Sequence, residues 1–191
     1  MRVTREQMAE HRQRILDAAG KLFRAKGFDA VTVAEVMQAA GLTHGGFYGH
    51  FKSKDDLVAE TLAHAFGGDK SPGDLAGFTK RYLSSKHRDD LAGGCFTAGL
   101  AAETIRQAPE ARAAMTAGLR DTIERLSRAT AGETEAERRR AAIGHWSAMV
   151  GAVILARSSD DLKLSDEILS TTRAWLEDKE KPARPARSKS R

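Results

Sequence analysis

The chain has few of the features that stabilise or locate proteins outside the reducing interior of a cell. Its 191 residues include a single cysteine, Cys95, so no disulfide can form within the chain. No apolar run approaches the roughly 20 residues that a membrane-spanning helix needs. The polar start, MRVTREQMAEHRQR, is unlike a secretory signal. These absences predict a cytoplasmic protein with no membrane partner.

Proline is also scarce, and no strand pattern is present. Only four prolines occur, alanine is common, and apolar residues recur at spacings of three and four. Alternation of apolar and polar residues, which would indicate strands, does not persist. The sequence therefore predicts an all-α fold.

Common catalytic and metal-binding motifs are absent. The chain has no HExxH, GxSxG or Walker lysine motif. Glu60 and His64 are four residues apart, but a lone pair of this kind is usually a contact on a helix surface. We expect no catalytic residue, no cofactor and no metal site, and keep a helical ligand carrier or enzyme as the alternative class.

The net charge of +5 lies entirely in the C-terminal tail. Residues 1–68 hold nine Lys and Arg against eight Asp and Glu, whereas residues 179–191 hold six against one. Bulk charge therefore gives no argument that the folded part binds nucleic acid. We expect residues 179–191 to be a basic disordered tail, either a phosphate-binding arm or a solvated terminus.

The segment Thr32 to Phe51, TVAEVMQAAGLTHGGFYGHF, carries the functional signal. Thr32 and Glu35 have the spacing of a reciprocal capping box, which predicts the start of a helix. Gly41 follows at a turn, and Thr43 is placed to cap a second, very short helix. Two short helices joined by a glycine turn are typical of a helix-turn-helix unit that reads DNA.

Three features within residues 5–66 occur together: a leading helix that ends at Gly27, the spacing G-F-x-x-x-T, and the closing F-Y-x-H-F-x-S-K-x-x-L. This combination resembles the DNA-binding domain of the TetR family of bacterial transcription regulators. The resemblance implies an all-helical homodimer in which residues 5–66 form a three-helix helix-turn-helix domain, with its motif at 32–51, that binds a palindromic double-stranded DNA operator. Residues 71–178 would form a helical domain for dimerisation and a small-molecule effector, and repression is the family's commoner mode.

Side chains at the start of a recognition helix reach base edges, whereas hydroxyl and lysine groups nearby reach phosphates. Gly45 and Gly46 cost helix stability, which is tolerable if the backbone approaches DNA closely or if packing holds the turn. Gly49 departs from the larger residue common in the family. The resemblance and the spacing together select these DNA contacts: Thr32, Thr43, His44, Gly45, Tyr48, His50 and Lys54.

The second half of the chain contains apolar stripes with two interpretations. One set lines an effector pocket or fills a core: Phe78, Tyr82, Cys95, Phe96, Leu100, Met115, Leu119 and Trp146. Another set lies on the last two long helices, roughly 133–157 and 164–175, and is buried against a second copy or within the chain: Ala148, Met149, Ala152, Val153, Ile168 and Trp175. Periodicity does not say whose surface covers a stripe.

Cys95 lies at a predicted helix start, where exposed amides and the helix dipole stabilise a thiolate. It is therefore either an electrophile sensor or a small buried apolar residue. Glycines 67, 68, 93 and 94 are candidate hinges. We expect an effector to shift the protein toward a state in which two DNA-reading units no longer match their half-sites.

Overall fold

The computed structural model describes residues 4–67 and 74–180, and these form nine α-helices and one 3₁₀ helix. Four of these elements come before the first gap: α1 (Arg5–Lys26), α2 (Val33–Ala39), the 3₁₀ helix η1 (His44–Gly49) and α3 (Lys54–Phe66). Six follow it: α4 (Leu75–Tyr82), α5 (Ser85–Asp89), α6 (Phe96–Thr104), α7 (Pro109–Ala129), α8 (Glu135–Ser158) and α9 (Leu162–Glu180). No strand occurs in either described range, and the all-α prediction is confirmed.

Local capping chemistry sets most helix starts. Thr4 forms a reciprocal capping box with Gln7 at the start of α1, and Thr134 does the same with Glu137 at α8. Gly27 ends α1 at a φ of 83°, a conformation that side chains other than glycine rarely adopt. The predicted end of α1 at Gly27 is therefore confirmed.

Two predicted caps are wrong in part. The Thr32 hydroxyl accepts a hydrogen bond from the Glu35 amide, but the Glu35 carboxylate does not return to Thr32. It pairs instead with Lys26 at the end of α1, a partner that lies outside the capping pattern. Thr43 precedes η1 without a side-chain cap, and η1 is a 3₁₀ helix rather than an α-helix.

Other boundaries also differ from the sequence prediction. A helix does begin after Cys95, as predicted, and it ends at Thr104, whereas the short helix α5 was not predicted. Helix α9 continues to Glu180, so the first two residues assigned to the disordered tail are helical. The rest of the tail, and residues 71–73 at the start of the predicted second domain, lie outside the described residues.

The buried residues form two hydrophobic clusters. The first joins α1, α2, η1 and α3 and also takes in Leu100, Ala111 and Met115 from α6 and α7. The second joins α4 and α7 to α8 and α9, around Trp146 and Met149. Because α6 and α7 contribute to the N-terminal core, these two helices pack directly on the predicted DNA-binding unit.

Candidate functional site

The turn between α2 and η1 has the geometry that the sequence predicted. Gly41 has a φ of 69°, and the Leu42 amide closes the turn by donating to the Met37 carbonyl at 2.9 Å. Arg14 of α1 donates to the Ala40 carbonyl just before that turn. The end of α2 is thus held against α1, and the turn at Gly41 sets the direction in which the chain continues into η1.

Helix η1 places aromatic rings on opposite sides. Phe47 and Phe51 are buried and stacked, with ring centroids 5.7 Å apart. Tyr48, between them in sequence, has 72% of its surface exposed. The inward pair fixes η1 on the core, so its other side, with Thr43, His44 and Gly45, lies at the surface.

The glycines of η1 have no packing partner that requires them. A Cβ atom added at Gly45 or at Gly49 would meet no atom within 4 Å, and one added at Gly46 would make only ordinary contacts with Met37 and Thr43. No steric contact therefore requires glycine at these positions. The buried Phe47 and Phe51 hold the turn in spite of the glycines, and the backbone at Gly45 and Gly49 is left accessible.

Arg12 of α1, which the sequence reasoning did not select, holds the end of η1. Its guanidinium donates to the His50 carbonyl, pairs with Glu60 of α3 and lies 4.4 Å from the centroid of the Phe51 ring. Burial, together with the charges of His11 and Arg12, lowers the pKa of His50. Both effects favour the neutral form of His50 in the protein.

Side chains cap two amides at the start of α3. The Ser53 hydroxyl accepts from the Asp56 amide at 3.1 Å, and the Asp56 carboxylate accepts from the Lys52 amide at 2.9 Å. The Lys54 ammonium lies at the same helix start, 3.4 Å from the Asp29 carbonyl. Thr32 is exposed at the start of α2, with its hydroxyl already used as a cap.

A cavity of about 780 Å³ lies between the N-terminal helices and the helices that follow. One wall comes from α1 and α3, through residues such as Gly20, Arg24 and Thr61. The opposite wall comes from α4 to α8 and includes Tyr82 and Trp146. A ligand in this cavity would touch the two helices that carry η1.

Five of the eight predicted pocket residues line this cavity: Phe78, Tyr82, Cys95, Phe96 and Trp146. The other three are not on its wall. Leu100 and Met115 are buried in the N-terminal cluster, and Leu119 packs against both clusters. Their helices are apolar on the side that meets α1 and α3, and the sequence could not distinguish that side from a pocket.

Cys95 is half-buried on the cavity wall, at the residue that precedes α6. Its amide donates to His87 Nε2 at 3.1 Å, while His87 Nδ1 lies 2.7 Å from the Tyr82 carbonyl. Because a carbonyl only accepts, these two contacts fix His87 as the neutral form with its proton on Nδ1. Burial is the main cause that lowers the pKa of His87.

Within the described residues no cluster of three or more His, Cys, Asp and Glu side chains is arranged to hold a metal ion. Glu60 pairs with Arg12, and His64 contacts Asp17 at 3.1 Å. Among the same residues, no helix is long and apolar enough to cross a membrane.

Comparison with known proteins supports the interpretation of the N-terminal helices. The sequence model for "Bacterial regulatory proteins, tetR family" matches residues 15–61. The HTH-type transcriptional regulator AcrR of Shigella flexneri is 44% identical over 59 residues, which are 31% of this chain and 27% of that protein. The HTH-type transcriptional repressor KstR2 of Mycolicibacterium smegmatis is 39% identical over 59 residues, 31% of this chain and 29% of that protein.

The helix-turn-helix segment, residues 15–61, is therefore similar to the TetR family of bacterial regulatory proteins. The matched segment spans less than a third of either curated relative, so these two comparisons concern the helix-turn-helix domain. A TetR-family transcriptional regulator from Agrobacterium tumefaciens extends the likeness to the fold, with a TM-score of 0.69, 21% identity, and coverage of 90% of this chain and 98% of that one.

The residues predicted for a dimer interface divide into two groups in the structure. Met149 and Val153 are fully buried inside the chain, and Ala152 is 4% exposed. Ala148, Ile168 and the half-exposed Trp175 border a shallow groove between α8 and α9, where Gly151 and Leu155 also lie. One side of the apolar stripe on α8 is therefore buried in the chain's own core, and the other side is exposed in the groove.

Proposed function

We propose that the chain is a DNA-binding transcriptional regulator, not an enzyme, and that it reads its operator with η1. The observation that carries this proposal is the surface of η1, where Tyr48 is exposed over buried Phe47 and glycines without packing partners leave the backbone accessible. The family to which residues 15–61 belong supports it. Such a regulator acts where the chromosome is, in the bacterial cytoplasm.

Two kinds of contact follow from the positions of the side chains. Thr43 and His44 are exposed at the N-terminal end of η1, the end of a recognition helix that meets base edges in the major groove. Tyr48 and Lys54 have a hydroxyl and an ammonium suited to phosphate oxygens. Gly45 and Gly49 let the backbone come close to the duplex, since no side chain stands between them and solvent.

A homodimer is part of the proposal. Leu155 and Trp175 have 60% and 53% of their surfaces exposed beside the small residues Ala148 and Gly151. Small residues next to large exposed apolar ones permit close packing of helices from a second copy. Two-fold symmetry then presents two η1 helices to the two halves of a palindrome.

The cavity supports ligand-controlled release from the operator. It is bounded by α1 and α3, which hold η1 through Arg12, and by Gly67, Gly93 and Gly94, three of the predicted hinge glycines. A ligand that binds best when these walls are separated differently than in the DNA-bound protein lowers the affinity of the protein for DNA. By linkage, DNA lowers the affinity of the protein for that ligand by the same factor. We propose repression relieved by such a ligand.

The test uses a duplex enriched from random DNA by the purified protein. Fluorescence anisotropy should show that Thr43→Ala and His44→Ala weaken binding to this duplex while both variants stay folded. Unchanged affinity of both variants for the duplex would rule out η1 as the element that recognises the operator. If a saturating ligand left the dissociation constant for the operator unchanged, the proposed release would be refuted, while the proposal of DNA binding would stand.

A second candidate trigger is modification of Cys95 by an electrophile. The half-buried thiol lies on the wall of the cavity, where a small molecule would reach it. In the Cys95→Ser variant, release from DNA by N-ethylmaleimide should be lost while operator affinity is kept. The same response in the variant and in the unaltered protein would exclude the thiol as the trigger.

A further inference from the structure

Four buried polar atoms lack a nitrogen or oxygen partner among the described residues, and all four belong to residues that line the cavity. They are the hydroxyls of Thr61, Tyr82 and Thr97 and the indole nitrogen of Trp146. Each of these side chains is more than nine-tenths buried. Buried polar groups in folded proteins are nearly always hydrogen-bonded, so four in one cavity indicate a site built for a ligand.

The chemistry of these atoms restricts the ligand. The Trp146 indole nitrogen can only donate, and a hydroxyl donates one hydrogen. The Tyr82 hydroxyl has only the Cys95 thiol beside it, and burial raises its pKa far above the usual range, so it keeps its proton. A ligand that completes these groups must present an acceptor atom to the indole nitrogen, and each hydroxyl can either donate to the ligand or accept from it.

The charges around the cavity are predominantly positive. Its described lining includes Lys21, Arg24, Arg81 and Arg125 against one carboxylate, that of Asp17. Asp17 is occupied by His64 and Gln13. His87 adds no charge at neutral pH because burial lowers its pKa.

Two of the arginines are half-buried and have no carboxylate within ion-pair distance among the described residues. Arg24 donates to the Ala92 carbonyl and lies 4.0 Å from the centroid of the Phe96 ring. Arg125 donates to the Thr122 hydroxyl at 3.2 Å. Both guanidinium groups keep unused N–H donors, whose planar arrangement matches a carboxylate.

The remaining wall is apolar and aromatic. Tyr82 lies at the centre of this part, with its ring centroid 5.3 Å from that of Trp146 and 5.9 Å from that of Phe78. Leu16 and Leu126 complete the surface. Ring-shaped apolar groups pack well against such faces.

We propose that the effector is an organic carboxylate with a flat apolar body. Its anionic group binds Arg24 and Arg125, and its rings lie among Phe78, Tyr82 and Trp146. The hydroxyl and indole donors hold the acceptor atoms of the ligand. This inference rests on the proposed regulatory function, because it names the chemistry of the molecule that would relieve DNA binding.

Isothermal titration calorimetry on the full chain tests the proposal with 2-naphthoate and its neutral counterpart 2-naphthamide. Naphthoate should bind at least about tenfold more tightly, because its contacts with guanidinium are charge-assisted. Arg125→Gln should remove that preference, whereas Arg128→Gln, at an exposed position one turn further along α7, should keep it. Equal or tighter binding of naphthamide, or no binding of naphthoate up to about 1 mM, would overturn the proposal.

Thr97→Val provides a second readout that does not depend on removing a charge. The substitution replaces an unpaired buried hydroxyl by a methyl group, so the melting temperature of the ligand-free protein should rise while the affinity for 6-hydroxy-2-naphthoate, which carries a polar group besides its carboxylate, falls. An unchanged affinity would contradict a role for the hydroxyl in binding. The titrations contain no DNA, so a failure to bind any duplex would refute the proposed function and leave the ligand class standing. If only neutral probes released the protein from DNA, the proposed ligand class would be refuted, and the proposed regulatory function would stand.

Discussion

At the scale of single residues, neighbouring aromatic side chains in η1 have different tasks. Phe47 is 1% exposed and stacks on Phe51, whereas Tyr48 is largely exposed and makes one ring contact, edge-on with Phe47 at 5.2 Å. The three residues per turn of a 3₁₀ helix separate the directions of neighbouring side chains by about 120°, so one ring faces the core while the next faces the surface.

The DNA contacts at this scale can be sorted by their effect on specificity. Lys54→Ala combined with Tyr48→Phe should weaken binding to many sequences alike and reduce the salt dependence by about one unit of slope, because phosphate contacts carry no sequence information. Thr43→Ala should instead change which base is preferred. Lys163→Ala, at an exposed position on α9, is the charge-matched control. A change of base preference in the first variant would show that the roles were assigned wrongly.

His87 should make stability depend on pH. Its pKa is lowered in the folded state by burial, with the charge of Arg157 lowering it further and Asp90 and the Tyr82 carbonyl opposing this. A lowered histidine pKa gives stability that is present above about pH 6.5 and is lost as the pH falls through the folded value. Protonation at Nε2 would also remove the acceptor used by the Cys95 amide.

The measurement is the free energy of unfolding in urea at pH 7.5 and pH 5. The loss between these values should be smaller in His87→Gln than in the unaltered protein, while His44→Gln on exposed η1 should leave it unchanged. The same loss in all three proteins would show that His87 has no part in it.

At the scale of elements, α7 packs closely on α3 because position 118 of α7 is a glycine, which has no side chain. A Cβ atom added at Gly118 would lie 2.1 Å from the ring of Phe66, so the close approach of the two helices depends on this glycine. Phe66 also lines the cavity. The contact therefore sets both the packing of α7 on the DNA-binding helices and the shape of one cavity wall.

Gly118→Ala should destabilise the protein by about 1–3 kcal/mol, because the ring must move out of a packed position. Gly99→Ala is the matched control, since a Cβ there would make only an ordinary contact of 3.9 Å with Arg24. The control should gain up to about 1 kcal/mol from helix propensity. Thermal or urea unfolding of both variants decides the matter, and an unaffected Gly118→Ala protein would contradict the packing argument.

Elements also show how far the sequence alone could go. Caps and breaks are local, so the start of α1 at Thr4 and its end at Gly27 could be predicted from neighbouring residues. The pairing of Arg12 with Glu60, 48 residues away, has no local signal. For the same reason the sequence placed Leu100 and Met115 in a pocket, although the N-terminal cluster covers them.

At the scale of the whole molecule, the groove between α8 and α9 is the exposed apolar surface to which the proposal of a homodimer applies. Met149 and Val153 are already buried within the chain, so an interface with a second copy would use the other side of α8, with Ala148, Leu155 and Trp175. Periodicity predicted that α8 was apolar over a wide arc. It could not separate the side that faces the chain's own core from the side left open.

The double substitution Leu155→Glu and Trp175→Glu should give a folded monomer with much weaker operator binding, because two carboxylates would be buried without partners in the interface. Ile105→Glu is the control, since Ile105 is also exposed, at 72%, in the turn after α6. Sedimentation velocity and circular dichroism measure both variants. A double variant that stays dimeric would exclude this groove as the interface.

The claim on which the others depend is that the whole molecule reads a symmetric DNA site with η1. Selection of bound duplexes from random DNA by the purified protein tests it directly. The account predicts an enriched palindrome with half-sites about one helical turn apart, and loss of that enrichment in a Thr43→Ala, His44→Ala double variant. Enrichment of no sequence, or the same palindrome with the double variant, would contradict it.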